Sequence, residues 1–191
     1  MKAIETSYKG YRFRSRTEAR WAIFFDAVGI SYQYEPEGFD LGEHGCYLPD
    51  FRIPSANAWV EIKGCKPTDH EFELAYQLHS QSNESKNTVG HVLYGFVELR
   101  KTIMEGGDSV RLENSMAAQK MIILCGSPGD DIDSYMVLKV DGKMYKFSLH
   151  SSSLPGITLT LGGHPNKVDG AVNKSRAARF EFEDSQKPRS K

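Results

Sequence analysis

Cysteine is scarce in this chain. Cys46, Cys65 and Cys125 stand far apart, with no CxxC and no Cys/His pair at zinc-ligand spacing. An odd, sparse count argues against a disulfide framework and for reduced thiols in a cytoplasm. Long apolar runs are missing too. No stretch approaches the ~20 apolar residues of a membrane span, and Met1-Lys2-Ala3-Ile4-Glu5 lacks the apolar run of a secretion signal. A soluble, cytoplasmic protein that does not engage membranes is expected. Neither sign of charge dominates: the formal net charge is −1, which speaks against a nucleic-acid coat. His44, His70, His79, His91, His150 and His164 form no HxH, HExxH or HNH-like arrangement. Gly106-Gly107 and Gly162-Gly163 belong to no GxGxxG or phosphate-loop pattern. No internal repeat, helix-turn-helix or zinc finger is present.

What is there suffices for a core, since 39% of residues are apolar. The distribution of charge says more than its sum. Lys9, Arg12, Arg14, Arg16 and Arg20 crowd the start, with Glu18 alone against them, and basic residues outnumber acidic ones from Lys167 to Lys191. Between these ends, Glu35, Glu37, Asp40, Glu43 and Asp50 form an acidic stretch. Basic ends around an acidic centre suit a protein that holds phosphates and a divalent cation together; ordinary surface patchiness gives the same pattern.

Residues 15–28 predict a helix: Trp21, Phe24, Phe25 and Val28 follow i, i+3, i+4, i+7 spacing, and Gly29 supplies the stop. Residues 8–13 read as a short strand or arm, and 31–34, 46–53 and 58–63 as strands. The turn-like Pro54-Ser55-Ala56-Asn57 separates the last two. A helix follows from 68 or 69 to about 79, with Phe72, Ala75, Tyr76 and His79 on one side. Residues 81–88 read as a loop. A strand at 92–96, a short helix at 98–104 and a buried strand at 121–124 are expected next. Residues 135–140 and 144–149 form a hairpin around Asp141-Gly142-Lys143, and 171–182 a basic-sided helix. This order predicts an α/β fold with a mixed central β-sheet flanked by helices. The expected organisation is one domain over 1–183, with its core at 8–80 and 120–126. An insertion at about 84–119 and an added hairpin at about 135–149 accompany it, and 184–191 is a disordered tail.

The chemistry lies around that turn. Along 46–53, alternation places Tyr47, Phe51 and Ile53 on one face and Leu48, Asp50 and Arg52 on the other. In the next strand Val60 and Ile62 share one face, Trp59, Glu61 and Lys63 the other. A four-residue loop with Ile53 opposite Ala58 sets Asp50 directly opposite Glu61. Opposed residues have Cβ atoms about 4.5–5.5 Å apart. Two carboxylates that close repel, and either a raised pKa or a cation must offset this. Lys63 lies on the same face, and a hard divalent ion, Mg²⁺ or Mn²⁺, is the stronger answer. Glu18 opens the buried helix face and can reach the same acids; it also completes Ser15-Arg16-Thr17-Glu18, a capping box.

Pro49-Asp50, ten residues, then Glu61-Ile62-Lys63 resembles the PD…(D/E)xK signature of the restriction-endonuclease-like nuclease superfamily. Residues 13–22, Phe-Arg-Ser-Arg-Thr-Glu-Ala-Arg-Trp-Ala, resemble the helix that carries a further acid in its resolvase-like and transposase-endonuclease-like branches. Tyr34-Glu35-Pro36-Glu37-Gly38-Phe39, Tyr47-Leu48-Pro49-Asp50-Phe51, Trp59-Val60-Glu61-Ile62-Lys63-Gly64 and Ala177-Ala178-Arg179-Phe180-Glu181 resemble small nuclease-like proteins of phages and bacteria. The resemblance spans 8–80, with looser likeness at 120–126 and 170–183.

It implies a restriction-endonuclease-like fold and a Mg²⁺- or Mn²⁺-dependent endonuclease acting on DNA. Asp50 and Glu61 would ligate the metal, with the Ile62 carbonyl and, directly or through water, Glu18. Lys63 would orient the attacking water or stabilise the pentacovalent transition state. Arg14, Arg16 and Arg20 would contact flanking phosphates, with Arg12 and Lys9 as weaker candidates, although each also fits a solvated cation. Cys65 lacks a partner for nucleophilic catalysis. Trp21 and Trp59 read as core or site-wall residues, and Glu37 as a turn acid. A non-catalytic interaction or DNA-binding protein on the same scaffold, and an RNA-directed nuclease, are the other readings. A homodimer, a protein partner, a phage or mobile-element setting and the form of the DNA stay open.

Overall fold

Trp21, Phe24, Phe25 and Val28 are all buried on one side of a single helix, as their spacing predicts. The computed structural model in which they sit describes residues 4–83, 120–140, 143–150, 152 and 154–180. Ahead of that helix the chain makes a hairpin of β1 (Thr6–Tyr8) and β2 (Tyr11–Phe13), Thr6 opposite Phe13. The strand or arm expected at 8–13 is therefore split. Lys9 and Gly10, at φ 49° and 82°, make the left-handed two-residue turn that suits strand twist.

Helix α1 (Arg16–Val28) starts at Ser15, whose side chain accepts the Glu18 N–H, and stops at Gly29 in the left-handed region. Next come β3 (Gln33–Tyr34), then β4 (Phe39–Asp40) and β5 (Cys46–Tyr47), which pair with each other outside the main sheet. β6 (Phe51–Ile53), a 3₁₀ turn over Pro54–Ala56 and β7 (Ala58–Lys63) follow. The single strand expected over 46–53 is thus broken at Leu48–Asp50. Pro49 has no N–H for a ladder, and the Asp50 side chain, not its backbone, reaches β7 there. Tyr47 consequently does not share a face with Phe51 and Ile53: its hydroxyl reaches Glu61, on the other side of the sheet.

Helix α2 (Asp69–Asn83) runs four residues past its expected end and covers the start of the loop expected at 81–88. The rest of that loop and the strand and helix expected at 92–104 lie outside the described residues. β8 (Lys120–Cys125), β9 (Ser134–Val140) and β10 (Lys143–Leu149) complete a six-stranded sheet of order β10-β9-β8-β7-β6-β3. β7 and β8 run parallel and the other neighbours antiparallel, so the sheet is mixed. The 135–149 hairpin is no appendage. It pairs along β8, Ile122 opposite Met136, and extends the central sheet. Helices α3 (Leu154–Thr160), which the sequence did not announce, and α4 (Val168–Ala177) end the described chain. α4 begins three residues before the expected helix and stops well short of Phe182, since Ala178 is already extended. The tail expected at 184–191 is outside the described residues.

Two apolar layers hold the helices. Phe51, Ile53, Val60, Ile62, Ile122 and Leu124 face α1, α3 and α4, while Trp59, Met121, Ile123 and Cys125 face Phe72, Ala75 and Leu78 of α2. β7 is covered on both faces, which is why its apolar run is nearly continuous. Among the described residues no helix is long and apolar enough to cross a membrane.

Candidate functional site

The turn after β6 sets the register of the site. Ile53 pairs with Ala58 and Phe51 with Val60, so Asp50, one residue beyond β6, falls opposite Glu61. Asn57 closes the turn at φ 47°, a conformation asparagine tolerates, and its N–H reaches the Pro54 carbonyl. Arg52 braces it, donating to the carbonyls of Ile53 and Ala58 and to Asn57 Oδ1. Beyond the ladder, Asp50 Oδ2 accepts the Ile62 N–H at 2.7 Å, so this side chain substitutes for the missing strand carbonyl.

α1 delivers the third acid. Glu18 Oε1 accepts the Ser15 hydroxyl at 2.6 Å, and Oε2 accepts the Tyr34 hydroxyl at 2.7 Å and the Arg14 N–H at 3.0 Å. Half of the capping box forms, Ser15 Oγ accepting the Glu18 N–H, while the Glu18 carboxylate takes the Ser15 hydroxyl and the Arg14 N–H in place of the Ser15 N–H. Glu18, Asp50 and Glu61 are only 7%, 3% and 7% exposed. Burial pushes the Asp50 carboxyl well above its usual range, and the charges of Glu61 and then Glu18 add to this. The Ile62 N–H and Arg14 pull it back only in part.

Two cations enter the cluster. Arg14 Nη2 lies 3.1 Å from Asp50 Oδ1, and its Nε is ion-paired with Glu35. Lys63 Nζ lies 2.9 Å from both Glu61 Oε1 and Glu71 Oε1. Burial alone would lower the Lys63 pKa, but Glu61 and Glu71 outweigh it and keep the ammonium charged. Tyr47 donates its hydroxyl to Glu61 Oε2 at 3.0 Å; burial and the Glu61 charge raise its pKa far above the usual phenol value, so it remains a donor.

Four carboxylates, those of Glu35, Asp50, Glu61 and Glu71, thus share the Arg14 guanidinium and Lys63, while Glu18 takes only the Arg14 backbone N–H. The donors are hard oxygens, the acid load exceeds these cations, and Asp50 is pushed toward its neutral form, a set that fits a hard divalent cation. Asp50 and Glu61 are the residues that would hold it, with the Ile62 carbonyl and Glu18 as further oxygen donors. Among the described residues no three His, Cys, Asp or Glu side chains form a ready metal cage. Each carboxylate is instead turned toward a protein donor.

The other residues singled out by sequence lie as follows. Arg20 donates to Ser127 Oγ at 3.1 Å, in the loop after β8, and Arg16 sits in the first turn of α1. Trp21 is core and bonds the Gly126 carbonyl; Trp59 is core under the Arg52 guanidinium. Burial pushes the Cys125 thiol up to about 12, which leaves no nucleophile there, and Cys65 is exposed. It is Glu35, not Glu37, that is ion-paired with Arg14. Tyr34, Glu35, Tyr47 and Glu71 were not assigned to the site from sequence. The Thr68-x-x-Glu71 spacing was the available signal for the last, as a cap, but nothing in it announced Lys63. No protein-family model, curated protein or solved structure matches this chain.

Proposed function

We propose that the chain is a divalent-metal-dependent DNA endonuclease of the restriction-endonuclease-like, PD-(D/E)XK type. The observation that carries this is Asp50, one residue before β6, bonded to the Ile62 N–H beside Glu61 on β7, with Lys63 salt-bridged to Glu61. Asp50 and Glu61, with the Ile62 carbonyl and Glu18, are the residues that would hold Mg²⁺ or Mn²⁺. Such an ion supplies an acidified water and neutralises charge on the scissile phosphate. The chain's own groups do the rest. Lys63, held charged, orients the water or meets the charge that builds on the phosphorus oxygens. Arg14, Arg16 and Arg20 take flanking phosphates, and Arg14 leaves Asp50 to do so. Burial of the acids behind Tyr34 and Tyr47 limits their rotation.

The test is cleavage of plasmid and branched DNA with Mg²⁺ or Mn²⁺, with matched RNA as comparison. Glu61→Ala and Lys63→Ala are expected to abolish cleavage; equal activity in the wild type and both variants would remove the assignment. One observation favours a second reading, a non-catalytic DNA-binding or interaction protein on this scaffold. Every acid of the cluster already has a protein donor. Absence of Mn²⁺ binding in calorimetry would favour it.

A further inference from the structure

We propose that Glu71 is a positioning residue for Lys63: it shares the ammonium with Glu61 and offsets its charge, so that Glu61 remains available to a divalent ion. The inference rests on the metal-dependent reading above and deepens it.

Lys63 Nζ is shared evenly, 2.9 Å from Glu61 Oε1 and 2.9 Å from Glu71 Oε1. The two carboxylates are held very differently. Glu61 lies on β7 opposite Asp50, where a cation is wanted. Glu71 lies in the first turn of α2 and is locked by that turn. Its Oε2 accepts the Thr68 N–H at 2.8 Å and the Thr68 hydroxyl at 2.9 Å, while the Glu71 N–H reaches back to Thr68 Oγ1 at 3.3 Å. This reciprocal cap fixes the side chain. The cap uses Oε2, which leaves Oε1 for Lys63. α2 itself is seated on the sheet through Phe72, Ala75 and Leu78. Glu71 is therefore a stationary anion whose free oxygen faces the ammonium.

A lysine two residues along the strand from a metal ligand is a rival of the metal. Left alone, a flexible ammonium neutralises Glu61 and repels a second cation. Shared with a fixed anion, it contributes less positive potential to Glu61 and is restrained toward one place. Glu71 thus serves both metal affinity and the aim of Lys63.

The experiment is Mn²⁺ titration calorimetry on the full chain for the wild type, Glu71→Gln, Lys63→Met and the double variant. Glutamine keeps a carbonyl oxygen for the Thr68 N–H and hydroxyl, so the cap and the fold survive, as thermal melting would show. Glu71→Gln is expected to weaken Mn²⁺ binding about fivefold to tenfold, the effect of one screened charge. In the Lys63→Met background the same change is expected to cost less than about twofold, because no ammonium remains to collapse onto Glu61. On DNA, Glu71→Gln is expected to lower kcat and leave KM unchanged. An equal loss of affinity in both backgrounds, or none in either, would overturn the role of Glu71 while leaving the nuclease reading intact. A wild type that binds no Mn²⁺ overturns both. Should Glu71→Gln not fold, Thr68→Ala carries the same comparison, since it removes the hydroxyl that helps hold Glu71 Oε2 and loosens the side chain without changing charge. The expected result is again a Lys63-dependent loss.

Discussion

Arg14 Nη2 and Asp50 Oδ1 are 3.1 Å apart, although 36 residues separate them in the chain. The guanidinium is also ion-paired with Glu35 and is about half exposed, so it is an internal counter-ion at the solvent edge of a buried acid pair. A positive group in that place competes with any other cation. Arg14→Ala is therefore expected to raise Mn²⁺ affinity in the absence of DNA, by about threefold given solvent screening. It should also weaken DNA binding and flatten its salt dependence. Calorimetry and fluorescence anisotropy read the two effects, and lower Mn²⁺ affinity in the variant would show that Arg14 assists the ion.

Asp50 is held at a cost in the metal-free protein. Its pKa is raised by burial and by Glu61 and Glu18, so the stability from its protonated form is present below the ordinary carboxylate value. That stability is lost as pH rises through the raised value. Glu71 acts in the opposite sense. Burial opposes its ionisation, but the Thr68 N–H and Lys63 hold it down at about 2, so its contribution is lost as pH falls from 4.5 toward 2. Tm without divalent ions is expected to pass through a maximum near the usual carboxylate range and decline above it. Mn²⁺ should flatten the decline, because the ion takes the place of the proton. Asp50→Asn should also flatten it while raising metal-free stability by about 1 kcal/mol and abolishing Mn²⁺ binding. Differential scanning calorimetry across pH tests all three.

Ser15 and Glu18 separate capping from chemistry. Ser15→Ala removes the N-cap of α1 and is expected to cost about 1 kcal/mol in urea denaturation, with Mn²⁺ affinity little changed. Glu18→Gln keeps one oxygen for the Tyr34 hydroxyl and the Arg14 N–H, and its amide can donate to Ser15 Oγ, so its stability cost should be smaller, while Mn²⁺ binding weakens. The reverse pattern would leave Glu18 with a capping role alone.

Phe51 couples the core to the site. It is fully buried, its ring packs against Phe13, Phe25, Tyr32 and Tyr34, and it pairs with Val60 one residue from the acid pair. Phe51→Ala is expected to destabilise the protein by about 3–5 kcal/mol in chemical denaturation. Phe51→Leu should cost less and retain Mn²⁺ binding.

Much of the site's frame is readable along the chain because it is local. The opposition of Asp50 and Glu61 follows from strand alternation and a short turn, and the pairing of Ile53 with Ala58 is the register that turn length predicts. The α1 stripe, its Ser15 cap and its Gly29 stop follow from helical periodicity and capping chemistry. The signals failed where local rules compete. Alternation alone carried a strand through Pro49, whereas the missing N–H ended it. The 135–149 hairpin was legible as a hairpin, but its docking on β8 depends on an edge that no local pattern displays.

By itself the sequence determined the strand–turn–strand unit and the helix that carries Glu18, because these depend on neighbours a few residues apart. Only the tertiary structure decided how the charges are shared. It set Arg14 against Asp50, brought Tyr47 under Glu61 and drew Lys63 toward Glu71 on the first turn of α2. Those contacts arise when separate elements pack on one sheet, and hydrogen bonds of about 3 Å depend on placements that residue order does not encode locally.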